Sequence, residues 1–156
     1  MKIALIVIAI LLVGYYFYTK TQNKKIAAQN AAAATAFLAN NANQAGVKTT
    51  ASGLQYLELV AGDGKTSPTS QQTVRVHYHG TLINGTVFDS SVERGETLEF
   101  PLNRVIAGWT EGLQLMSVGA KFRFFIPANL AYGDRKVGKI PAGSLLIFEV
   151  ELFEVK

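Results

Sequence analysis

Beyond its first third this chain carries one helical repeat among alternating strands, and that ratio limits what it can fold into. Trp109, Leu113 and Met116 recur at i, i+4 and i+7, one face of a short helix within residues 105–116. Pro101 lies just before the stretch, and Val118-Gly119 ends it, since a glycine soon after a helical run is a stop signal. The single Trp stands at the start of this helix, and Gly108 beside it removes a side chain, so a neighbouring element can approach the backbone there. Residues 73–81 alternate cleanly, with Val74, Val76 and Tyr78 on one face and Arg75, His77 and His79 on the other. Asn84-Gly85 signals a hairpin turn. Residues 52–60, 86–89, 98–100, 121–126 and 145–155 read as further strands, the last with Leu146, Phe148, Val150 and Leu152 on one face. The sum predicts an α+β domain, an antiparallel sheet of about five or six strands wrapped on one short helix.

The N-terminal third is different material. Residues 3–18 are almost unbroken apolar sequence between Lys2 and the group Lys20, Lys24 and Lys25. At ~1.5 Å per residue such a run just reaches across a hydrocarbon core of about 30 Å if the tyrosines sit at the interface. A cleavable signal needs small residues straight after its apolar run, and Tyr15-Tyr16-Phe17-Tyr18 fills that place. Residues 1–20 are therefore expected to form an uncleaved membrane anchor, with a signal segment cut later, near the alanines, as the alternative. The three lysines after the run count against export of the rest of the chain. Residues 21–46 are rich in Ala, Asn and Gln, with a thin apolar face of Ile26, Phe37 and Leu38 and a stop at Gly46. They are expected to form a helical stalk on the order of 35 Å long, not a core element, with a disordered spacer as the alternative. The globular domain is expected over residues 47–156.

Composition removes several classes of function. The net charge is +4, but the basic residues are scattered and form no stripe with interleaved aromatics, so no nucleic-acid surface is expected. The absence of cysteine excludes disulfides, thiolate metal sites and cysteine nucleophiles. His77 and His79 share a strand face and could begin a metal site, but no further His or Cys exists, and no metal or cofactor is expected. What remains is aromatic. Tyr78 and Phe148 point inward by strand parity, Phe88 stands beside Asp89 at a strand end, and Tyr132 lies in Ala131-Tyr132-Gly133 before Ile140-Pro141. A sheet closing on the helix gathers these rings around Trp109. The cleft so formed has few polar groups: the Tyr78 and Tyr132 hydroxyls, Asp89 and Arg94. Asp89, ahead of Ser90-Ser91, can also be read as a turn cap.

The segments Val76-His77-Tyr78-His79-Gly80, Phe88-Asp89-Ser90-Ser91, Val105-Ile106-Ala107-Gly108-Trp109, Met116-Ser117-Val118-Gly119, Ala131-Tyr132-Gly133 and Ile140-Pro141 resemble, in the same order, the FKBP family of peptidyl-prolyl cis/trans isomerases. The resemblance covers residues 47–156. The join from Phe37-Leu38-Ala39-Asn40 to Gly53-Leu54-Gln55-Tyr56 is similar to the bacterial envelope members of macrophage-infectivity-potentiator type. Those carry an N-terminal dimerisation segment and a long helix; here the apolar run stands where that segment is expected.

The resemblance implies catalysis of rotation about X–Pro bonds in unfolded or extended polypeptides, with macrolides as possible inhibitors. A non-catalytic proline-binding or chaperone module using the same cleft is the alternative. It implies catalytic roles for Tyr78, Asp89, Tyr132 and Phe148. It implies substrate contacts from Phe88, Arg94, Phe100, Val105, Ile106, Trp109 and Ile140, with Trp109 as the pocket floor. With residues 1–20 as a single-pass anchor in the inner membrane, the envelope resemblance implies that the isomerase domain lies in the periplasm. Leu98 and Leu130 stand where the family often has aromatics, and residues 134–139 form an unusually basic loop. Those departures bear on sequence preference and inhibitor affinity.

Overall fold

Period-two burial runs unbroken along β3 (Thr73–Leu82), whose residues Val74, Val76, Tyr78, Gly80 and Leu82 face inward. This strand lies inside a seven-stranded antiparallel sheet of order β1-β2-β6-β7-β3-β4, with β5 also paired to β3. The computed structural model describes residues 2–156, with side chains from residue 5 onward. The side chains of Lys2 and Ile3, which open the apolar run, lie outside the described residues. In chain order the elements are α1 (Lys2–Asn41), β1 (Val47–Thr49), β2 (Gln55–Val60), β3, β4 (Val87–Ser90), α2 (Ser91–Arg94), β5 (Leu98–Pro101), α3 (Ala107–Leu113), β6 (Lys121–Ile126) and β7 (Leu146–Val155). The sheet has more strands than expected because β1, only three residues long, pairs with β2 from Val47↔Leu57 to Thr49↔Gln55. So short a strand leaves no alternation to read. Strand β2 starts three residues later than its apolar pattern, because the Thr50–Gly53 turn occupies its expected beginning, closed by Gly53 N–H to the Thr50 carbonyl at 3.1 Å.

Two features of β3 position the site. Nine of its residues pair with β7 on one side, from Val74↔Val155 to Leu82↔Leu146. Its other edge is divided: β5 pairs with residues 73–76 and β4 with residues 79–81. Beneath the sheet lies α3, shorter than its repeat, with Met116 held fully buried by the turns after it. The element that approaches Gly108 is β6. A Cβ there would stand 2.4 Å from Ile126 Cγ2, and one on Gly112 would stand 2.7 Å from Phe124 Cε1. Two glycines at i and i+4 thus let the helix backbone sink against the inner face of the sheet. The core between them is Leu54, Leu102, Leu113, Met116, Phe124, Ile126 and Leu146, all essentially without solvent contact.

Helix α1 is continuous over 40 residues, so the segments expected as anchor and as helical stalk form one unbroken helix as far as Asn41. Among the described residues it is the one helix long and apolar enough to cross a membrane, and its side chains from Leu5 to Tyr18 are largely exposed. Its C-terminal part is not a free stalk. Ala27, Asn30, Ala34, Phe37, Leu38 and Asn41 recur at spacings of three and four, and that face packs on the domain. Ala27 and Ala34 are buried, and a Cβ on Gly143 would stand 2.5 Å from the Ala27 carbonyl oxygen, so the two backbones meet directly. Asn30 Nδ2 donates to the Ala142 carbonyl at 2.7 Å. Gln55, itself buried, donates to the Leu38 carbonyl and accepts from Asn41 Nδ2, both at 2.9 Å. Phe37 packs on Phe125, ring centroids 5.8 Å apart, and so covers the one aromatic that β6 turns away from the core. Alanine supplies the docking face because small side chains allow the close approach.

This docking makes Phe37→Ala destabilising by about 1 kcal/mol in chemical denaturation, for a half-buried aromatic pair. Ala32→Ser, on the exposed face of the same helix, should change stability by less than about 0.5 kcal/mol.

Candidate active site

The inner face of β3 presents Tyr78, neighbouring β7 presents Phe148, and the first turn of α3 raises Trp109 beneath both. The rings meet edge to face. Trp109 lies 5.2 Å from Tyr78 at 79° and 5.1 Å from Phe148 at 78°, and Phe88 lies 5.2 Å from Phe148 at 87°. That arrangement sets the positive edge of one ring against the negative face of the next. The rings frame a cleft of about 530 Å³ lined by Tyr78, Phe88, Asp89, Leu98, Arg104, Val105, Ile106, Trp109, Ala131, Tyr132, Arg135 and Phe148. Val105 and Ile106 come from the link between the 3-10 turn Leu102–Arg104 and α3; Ala131 and Tyr132 come after a second 3-10 turn, Ala128–Leu130. Trp109 is 5% exposed, and its Nε1 is the one buried side-chain polar atom without a partner among the described residues.

The polar edge of the cleft is built by one turn of helix. Ser90, not Asp89, caps α2: its hydroxyl accepts from Glu93 N–H at 3.1 Å. Gly95 closes the other end in the left-handed region, φ 71°. One turn after Asp89, Arg94 is thereby returned to it, and Nη1 donates to Asp89 Oδ1. The Tyr78 hydroxyl donates to Asp89 Oδ2 at 2.5 Å and accepts from Arg94 Nη2 at 2.9 Å. Ser91, wholly buried, bonds the Tyr78 backbone through its hydroxyl, which accepts from the N–H at 2.8 Å and lies 3.3 Å from the carbonyl oxygen. On the outer face His77 Nδ1 meets Ser91 Oγ and His79 Nδ1 meets Ser90 Oγ, each at 2.9 Å.

These contacts set the charges. Burial pushes the Asp89 carboxyl up, but the hydrogen bonds from Tyr78 and Arg94, with the Arg94 charge, outweigh it and hold the group below its ordinary 3.8. Burial, then the bond to Asp89, pushes the Tyr78 hydroxyl above its ordinary 10.0. Its hydrogen bonds to Asp89 and Tyr78 raise the Arg94 guanidinium. At neutral pH the group is a carboxylate with both oxygens engaged, a neutral phenol and a guanidinium, and none of the three is poised to exchange a proton.

Of the residues singled out in the sequence, Tyr78, Phe88, Asp89, Val105, Ile106, Trp109, Tyr132 and Phe148 line the cleft. Phe100, Ile140 and Arg94 do not. Phe100 lies buried against Trp109 at 5.4 Å, Ile140 is buried in the core, and Arg94 braces Asp89 and Tyr78. For Phe100, strand parity shows which way the side chain faces but not how deep it ends; Ile140 and Arg94 lie outside the strands and carry no parity signal. Leu98, 41% exposed, forms part of the wall, as its aromatic-for-leucine position suggested. Arg104 and Ala131 were missed; each adjoins a recognised residue, Val105 or Tyr132, and adjacency was the available signal. Arg135 belongs to the basic loop noted in the sequence and reaches the cleft.

An aromatic well edged by one ion pair is a site that can grip an apolar group, and Tyr78 and Arg94 hold Asp89 as a carboxylate with both oxygens engaged. Residues 64–153 match the family described as FKBP-type peptidyl-prolyl cis-trans isomerase, and residues 12–57 match the domain amino-terminal to FKBP-type peptidyl-prolyl isomerase. The chain belongs to the FKBP-type peptidyl-prolyl cis-trans isomerase family. The isomerase FkpA of Aeromonas hydrophila is 52% identical over 138 residues, 88% of this chain and 51% of that protein. Outer membrane protein MIP of Legionella longbeachae is 47% identical over 135 residues, 86% of this chain and 57% of that protein. The crystal structure of FkpA from Escherichia coli superposes with a TM-score of 0.87 at 42% identity, over 96% of this chain and 71% of that one. The chain thus spans little more than half the length of the curated relatives it matches. The amino-terminal match begins inside the apolar run, so residues 12–20 belong both to the segment expected as an anchor and to the family's amino-terminal domain.

Asp89 also carries an acid-stability signature. A carboxyl held low in the folded state contributes stability that is present above its unfolded value and lost as pH falls through the folded one. The stability difference between the parent and Asp89→Asn should therefore be constant above about pH 5 and shrink as the pH is lowered from there, read by denaturation at a series of pH values.

Proposed function

We propose that this chain catalyses cis/trans isomerisation of X–Pro bonds in unfolded or extended polypeptides. The observation that carries this reading is the edge-to-face aromatic well floored by Trp109, whose one carboxylate is already engaged by Tyr78 and Arg94. Rotation about a peptide bond meets a barrier of ~18–20 kcal/mol, and an X–Pro bond isomerises unaided in tens to hundreds of seconds. The reaction needs no nucleophile and no net proton transfer. The barrier is amide resonance, which keeps the carbonyl polar; the twisted form has lost part of that polarity and is favoured in a water-poor cleft. A hundred-thousand-fold acceleration requires about 7 kcal/mol of differential binding.

In this reading the proline ring rests on Trp109 between Tyr78, Phe88 and Phe148, with Val105 and Leu98 closing the sides. Helix α3 begins without a side-chain cap, and while the Trp109 N–H donates to the Ile106 carbonyl at 3.0 Å, the N–H groups of Ile106, Ala107 and Gly108 have no partner within the helix. The Ile106 N–H and the Tyr132 hydroxyl hold peptide carbonyls. Asp89 acts through its field and by fixing Tyr78, not as a base. Phe100, Ile140 and Arg94 support the wall from behind. Macrolides that present a proline-like ring fit the same well.

A protease-coupled assay on a short X-Pro peptide tests this. The parent should accelerate isomerisation, and Asp89→Val should keep the fold while lowering kcat/KM at least tenfold, about 1.4 kcal/mol of transition-state stabilisation. Peptide binding without acceleration would instead identify a proline-binding or chaperone module.

The same reading extends to the N-terminus: residues 1–20 anchor the chain in the bacterial inner membrane, and the domain of residues 47–156 faces the periplasm. Its supports are the exposed apolar length of α1 and the envelope name of the MIP relative. Full-length protein should sediment with membranes and stay there in high salt. Deletion of residues 1–25 should release an active domain, since the docking face begins at Ala27. Recovery of the full-length chain in the soluble fraction would overturn the anchor.

A further inference from the structure

The chain has five arginines, and the structure divides them into two kinds. Arg75 pairs with Glu154 at 3.0 Å, Arg123 with Glu149 at 2.5 Å, and Arg94 with Asp89. Arg104 and Arg135 have no carboxylate within 4.0 Å among the described residues, both are exposed, and both line the aromatic cleft. They reach it from different elements. Arg104 ends the 3-10 turn directly before Val105-Ile106. Arg135 lies three residues past Tyr132 in the loop, its N–H donating to the Tyr132 carbonyl at 3.3 Å. The loop is closed behind it by paired hydrogen bonds between Val137 and Ile140, at 2.8 and 2.9 Å.

Neither guanidinium has a counter-charge of its own nearby in the cleft. Asp134, the adjacent acid in sequence, lines a separate groove against α1 together with Ala31, Ala34 and Gly143. Asp89 is the one carboxylate lining the cleft, and its two oxygens are taken by Arg94 and Tyr78. Once the Asp89–Arg94 pair cancels, two uncompensated positive groups border an apolar floor. A guanidinium presents a planar fork of donors that fits a carboxylate with two parallel hydrogen bonds, which an ammonium cannot do.

We propose that Arg104 and Arg135 are specificity-determining residues that favour chains carrying an acidic side chain next to the proline. This rests on the isomerase reading of the cleft. The floor takes any proline; the border selects among its neighbours by charge. Because both arginines are exposed, the preference acts through partly screened pairs and weakens with salt.

The test uses the full-length protein and two peptide series, differing only in Glu, Gln or Lys at the residue before the proline or at the residue after it. Values of kcat/KM are measured in about 0.01 M and about 1 M salt, where the screening length falls from ~30 Å to ~3 Å. At low salt the Glu peptide should exceed the Lys peptide by roughly threefold to tenfold in at least one series, with Gln between them. At high salt the ratio should approach one. It should approach one in Arg104→Gln/Arg135→Gln at low salt and survive, reduced, in Arg104→Lys/Arg135→Lys, which keeps the charge and loses the fork. Equal rates for all peptides in both series, or an unchanged ratio in the double Gln variant, overturn the proposal while leaving the isomerase reading standing. No acceleration of any peptide overturns both.

Discussion

One hydroxyl holds open the edge of the sheet on which the site is built. Strand β3 is paired with β5 over residues 73–76 and with β4 over residues 79–81, and the backbone of Tyr78 falls in the gap. A buried N–H and C=O left there would cost about as much as lost hydrogen bonds. Ser91 Oγ occupies the position that a neighbouring strand would fill. With the gap satisfied by a side chain, the main chain is free to leave the sheet for one helical turn. That excursion returns Arg94 to Asp89 and Tyr78. The aromatic well therefore owes its polar edge to an interruption of regular pairing, not to a loop appended beside it.

The division of labour in the cleft comes from what is already engaged. Asp89, Tyr78 and Arg94 satisfy one another and offer a substrate a shaped, polarised surface. The Trp109 indole is packed on three rings, and its N–H has no acceptor. The other groups with unspent capacity stand at the mouth: the N–H groups of Ile106, Ala107 and Gly108, and the guanidinium groups of Arg104 and Arg135.

Much of this was legible in the sequence, for identifiable reasons. Alternation is a strong signal on β3 and β7 because one face of each is fully buried, and it places Tyr78 and Phe148 on the inner side by itself. The α3 repeat places Trp109 beneath them. Parity could not place Phe100 in depth, the loop position of Ile140 reported nothing of its depth, and neither hinted that the Ser91 hydroxyl would serve the backbone. The docked face of α1 was hidden for a different reason. Alanine is a strong helix former that carries almost no hydrophobic contrast, so a face of Ala27 and Ala34 looks like filler. Its partner lies far along the chain, with 112 residues separating Asn30 from Ala142. Arg104 ends a single 3-10 turn and Arg135 lies in a loop, and in neither place does a periodicity report on direction.

The contact between Ala27 and Gly143 also has a mechanical meaning. A domain on a flexible tether of n residues samples a volume that grows with the tether, and its active site faces every direction in turn. Here the helix runs without a break from the apolar run into the domain, and only Thr19 to Ile26 separate Tyr18 from the first docked residue, a rise of about 12 Å. If the apolar run is held in a bilayer, the height of the cleft above it and its orientation relative to the helix are held too. Such a molecule would work as a bracket, holding its cleft within one narrow layer above the surface.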